Sequence, residues 1–170
     1  MNHSYDFKIV LLHEDLVSGI RGMSVLERLA GQLEMESEKL DIDIWKFAVL
    51  RNPDLRVQAT DMLKQANMII ISAGGRAELP GHVREIIEKA LGLRQERDAA
   101  IVALLDWDQA ATNALPQLGL YLENLAATMD MDFFCNKGAW QPSAETAGDS
   151  ANGVKAGRFA NSRATIPWNS

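Results

Sequence analysis

Four short runs of the chain are almost wholly apolar: Ile9-Val10-Leu11-Leu12, Met68-Ile69-Ile70-Ile71, Ala99 to Leu105, and Phe133-Phe134-Cys135. Their length and β-branched content suit strands buried on both faces. A fifth segment, Asp41-Ile42-Asp43-Ile44-Trp45-Lys46-Phe47, alternates polar and apolar residues instead. That is the pattern of a strand with one solvated face, and it belongs at the edge of a sheet. Helical patterns lie between these runs. Leu16, Ile20, Met23, Leu26, Ala30 and Leu33 recur at three- and four-residue spacing and predict one inward stripe of a first helix, with Asp15 as its N-cap. Asn52-Pro53 opens a second helix over Asp54 to Gln65. Pro80 opens a third, with Val83, Ile86, Ile87, Ala90 and Leu91 inward, and Pro116 a fourth, with Leu118, Tyr121, Leu122, Leu125 and Ala126 inward.

Strand and helix therefore alternate, which predicts an α/β fold: a three-layer, doubly wound parallel sheet with right-handed crossovers. Placing the alternating strand outside the first gives the strand order 2-1-3-4-5, the flavodoxin-like arrangement. Residues 1–137 make up this domain. Residues 138–170, rich in Ala, Gly, Ser and Asn, read as an irregular tail that stands where a final helix would be. The first and last helices share one face in this topology, so that face is expected to be half bare. Trp140, Phe159 and Trp168 of the tail, or a second subunit, are expected to cover it.

Charge and composition narrow the function classes. The chain carries 17 basic and 23 acidic residues, a formal charge of −6, with no local basic cluster. A nucleic-acid binder would need a basic face. The single cysteine, Cys135, lies in an apolar run and reads as a buried, inert thiol, and it excludes an internal disulfide and a multi-cysteine metal site. No basic leader or bilayer-length apolar stretch is present in the sequence, so a cytoplasmic location without a membrane partner is expected. Nucleophile-elbow, zinc-protease, Walker and dinucleotide-binding signatures are absent.

In a doubly wound sheet, ligands bind beyond the carboxyl ends of the strands, where the strand order reverses. Three loops line that crevice: His13-Glu14-Asp15, Ser72 to Leu79, and Asp106 to Asn113. The candidate ligand-binding residues are His13, Ser72, Gly74, Gly75, Arg76 and Trp107. The glycines permit close backbone approach, Ser72 and the loop amides donate hydrogen bonds, and Arg76 pairs with an anion. Trp107 offers a ring for stacking and His13 a group that changes charge near neutral pH. Each also has a plain structural reading: a turn, a solvated arginine, a packed indole and a strand-end histidine. Asp106 and Asp108, with Glu14 and Asp15, read as cap and loop charges before they read as cation ligands.

Two family resemblances attach to these residues. Ala66 to Ile71 followed by Leu79-Pro80-Gly81-His82-Val83-Arg84-Glu85-Ile86-Ile87 resembles the third-strand segment of the NAD(P)H-dependent FMN reductases, and Ser18-Gly19-Ile20-Arg21-Gly22-Met23-Ser24 is similar to their phosphate loop. That resemblance implies FMN, or another nucleotide-like small molecule, at the carboxyl edge. Against it, Glu14 and Asp15 stand where the phosphate would sit, and they repel it. Glu14, Asp15 and Lys137 also resemble the acidic pair and lysine of phosphoacceptor receiver domains, with Ser72 at the phosphoacceptor position and Asp106 at the hydroxyl position. This implies a non-catalytic, receiver-like interaction or regulatory domain. Both readings stand open on sequence alone.

Overall fold

The computed structural model describes residues 7–32, 40–74, 78–95, 98–107, 114–136 and 164–166. The apolar runs form β1 (Phe7–His13), β3 (Met68–Ala73), β4 (Ala100–Leu105) and β5 (Asp132–Asn136), and the alternating segment forms β2 (Leu40–Lys46). Between them lie α1 (Leu16–Gln32), α2 (Pro53–Gln65), α3 (Gly81–Leu93) and α4 (Gln117–Thr128), with a 3-10 turn over Phe47–Arg51. The strands are all parallel and the order is β2-β1-β3-β4-β5, so the fold is flavodoxin-like with β2 at the edge.

A short sixth strand, β6 (Ala164–Ile166), continues the sheet beyond β5, pairing Phe134 with Ala164 and Asn136 with Ile166. Sequence did not disclose it, because three residues are too few to leave a periodicity. It does not make the order a Rossmann one, since β2 remains outermost on the other side. Trp140, Phe159 and Trp168 lie outside the described residues, as do the acidic run from Glu34 to Glu38 and Lys137.

Parallel strands buried on both faces split the core in two. One cluster holds Val10, Leu12, Ile69, Ile71, Ile101 and Phe133 under α2, α3 and α4. Every inward residue expected of α3 is buried there, and so are Leu118, Leu122 and Ala126 of α4. The local signals at the helix starts also hold. Asn52 accepts a hydrogen bond from the Asp54 amide at 2.9 Å, and Pro53 occupies the first turn, where its missing N–H costs nothing.

On the other face Ile9, Leu11, Met68, Ile70, Val102 and Phe134 meet Val25, Leu26 and Leu29 of α1. Here the expected helix face holds at Leu26 and fails over the amino half of the helix. The residues α1 buries are Ser18, Gly19, Arg21, Gly22, Val25, Leu26 and Leu29, while Leu16, Ile20 and Met23 are exposed and Leu33 lies outside the described residues. The reason is steric. A Cβ at Gly22 would stand 2.6 Å from the Leu11 side chain, and one at Gly19 would stand 2.9 Å from the His13 ring. The glycine side of the helix fits against β1, and the bulkier stripe turns outward. Hydrophobic spacing gave the helix correctly but not its rotation.

β2 shows a related reversal. Register pairs Ile9 with Ile42 and Leu11 with Ile44, so both isoleucines lie on the α1 face of the sheet. They are exposed, whereas Asp43 on the opposite face is half-buried and Trp45 packs against the α2–α4 core. Burial first, and then the neighbouring Asp41 charge, raises the Asp43 carboxyl above its ordinary range. The strand is an edge, as its alternation implied, but its apolar side faces water.

Candidate functional site at the carboxyl edge

The loop after β1 is built as a reciprocal helix cap. Asp15 Oδ1 accepts from the Ser18 amide at 2.9 Å, and Ser18 Oγ accepts from the amides of Asp15 at 2.9 Å and Glu14 at 3.0 Å. The Ser18 hydroxyl also donates to the Asp15 carbonyl, so its donor and both acceptor positions are engaged. The backbone hydrogen bond from Ser18 pulls the Asp15 carboxyl below its ordinary range, assisted by the Ser18 hydroxyl, Arg21 and His13 against the opposing effect of burial. As the helical stripe implied, Ser18 to Ser24 lie within α1, and the start of this helix is closed by its own side chains.

His13 and Ser72 are register partners on β1 and β3, so the topology brings these two candidates side by side. His13 donates through Nδ1 to the Asp15 carbonyl at 2.8 Å, and its ring lies beside Gly19. Ser72 is completely buried, and its hydroxyl donates to the Ser18 carbonyl at 2.7 Å. Gly74 follows, and its amide donates to Glu14 Oε2 at 2.7 Å. An anionic oxygen does sit on the β3 loop, then, but it belongs to the protein itself. Gly75 and Arg76 lie outside the described residues, as does Asp108.

Trp107 is not part of this group. Its indole N–H donates to the Asn136 carbonyl at 3.0 Å, and its ring packs on the α2–α4 core, toward β5. Asn136 is itself buried and pairs with the backbone of Leu105: its Oδ1 accepts from the Leu105 amide at 2.7 Å, and its Nδ2 donates to the Leu105 carbonyl at 2.8 Å. This side chain extends the β4–β5 ladder, a role a lone Asn in an apolar context could have signalled.

Arg21 has the largest role that sequence reading did not isolate. It is 4% exposed, and one guanidinium nitrogen donates to the carbonyls of Ala73 at 3.1 Å and Leu104 at 3.0 Å. Burial lowers its pKa, while the charges of Asp106, Asp15 and Glu14 act in the opposite sense. It therefore ties α1 to the ends of β3 and β4 from within, as a buried cation on which the charges of Asp106, Asp15 and Glu14 act. The signal was its place between Gly19 and Gly22 on the face that packs against the sheet.

Two further expectations concern single residues. The Cys135 thiol is fully buried, and burial followed by the Glu123 charge pushes its pKa up to about 12, so it is not a ready nucleophile. His82, which its place in the first turn of α3 leads one to expect in solvent, is half-buried and donates through Nε2 to the Phe47 carbonyl at 2.7 Å, joining α3 to the turn after β2. Among the described residues no group of three His, Cys, Asp or Glu side chains is arranged to hold a metal ion. No helix among them is long and apolar enough to cross a membrane.

No protein-family model matches this chain, and no curated protein matches it in sequence. The resemblance to FMN reductases is thus unsupported beyond the shared fold.

Proposed function

We propose that this chain is a non-catalytic interaction or regulatory domain that kept the doubly wound scaffold and works through its surface. The observation that carries this reading is the Glu14 carboxylate on the Gly74 amide. With Ser18 holding the amides of Glu14 and Asp15, and Ser72 bound to the Ser18 carbonyl, these donors, among the described residues of the crevice, are engaged within the chain.

The test is a thermal-shift titration of the full chain with FMN, FAD and NADPH, together with the absorbance of the purified protein near 450 nm. A ligand at 100 times its Kd would stabilise the native state by about 2.7 kcal/mol, a shift of several degrees. The expected result is a colourless protein whose melting point none of the three moves. A yellow preparation, or a saturable shift with FMN that Glu14→Gln strengthens, would overturn the reading in favour of a flavin site.

A further inference from the structure

We draw no further inference here: the strongest candidate, the groove between α2 and α3 beside the exposed Val57 and Leu93, carries charges of both signs on each wall, Asp61 and Lys64 on α2 and Glu85 and Lys89 on α3, and nothing in the structure shows what covers it.

Discussion

The two faces of the sheet are solved by opposite means. On one, α2, α3 and α4 lay ordinary aliphatic stripes onto Val10, Leu12, Ile71 and Phe133. On the other, the carboxyl half of α1 packs through Val25, Leu26 and Leu29, but its amino half meets the sheet through serine, glycine and a buried arginine. The three-helix face is stabilised by area removed from water, and the amino half of α1 by close contact and directed hydrogen bonds. Cohesion of the second kind is sensitive to single atoms and leaves a helix free to carry its apolar residues outside.

Replacing one isoleucine on each face gives the sharpest contrast. Ile87→Ala on α3, at a fully buried site, should cost about 2–5 kcal/mol in urea unfolding, whereas Ile20→Ala on α1 should stay within about 0.5 kcal/mol. If the two cost the same, α1 does not have the rotation described. Next comes Arg21→Met, which preserves the stem but removes the donors to Ala73 and Leu104; we expect a loss of about 1–3 kcal/mol, and a stability unchanged or improved would show the buried cation to be dispensable. Gly22→Ala should destabilise by about 1–2 kcal/mol despite the better helix propensity of alanine, because Leu11 is buried and has little room to yield.

The smallest effects are in pH, and their signs differ between the two carboxyl groups. The Asp15 pKa is lowered on folding, so its contribution is fully present above the ordinary aspartate value of about 3.9 and is lost as pH falls through the lower folded value. Asp15→Asn should flatten that acid limb of the melting curve. The Asp43 pKa is raised on folding, so this group opposes folding at neutral pH and ceases to do so as acid protonates it. Asp43→Asn should therefore raise the melting point slightly at pH 7 and not at pH 3; equal shifts at both would remove burial of the charge as the cause.

The strand order was legible because it depends on bulk patterns. Uninterrupted apolar runs marked interior strands, and Asp41 to Lys46 marked the edge. Helix starts were legible where Pro53, Pro80 and Pro116 stand, since proline acts through its own backbone. The rotation of α1 was not, because Leu16, Ile20 and Met23 form as regular a stripe as any buried one, and only the clearance between Gly22 and Leu11 decides between the two sides. The candidate site was legible in part. Topology alone places His13 beside Ser72, but whether a loop amide awaits a ligand or already holds Glu14 depends on a side-chain rotamer, which no spacing encodes. The contacts of Trp107 were illegible for a similar reason: its partner, the Asn136 carbonyl, is distant in sequence.

The pair Gly19 and Gly22 has an architectural outcome as well. Where a helix lacks side chains it can lie close against the strand below, and its larger residues are then left on the far side. Two missing methyl groups, the first of them one turn from the loop that opens the helix, thus decide which residues α1 turns toward the sheet and which it offers to its surroundings.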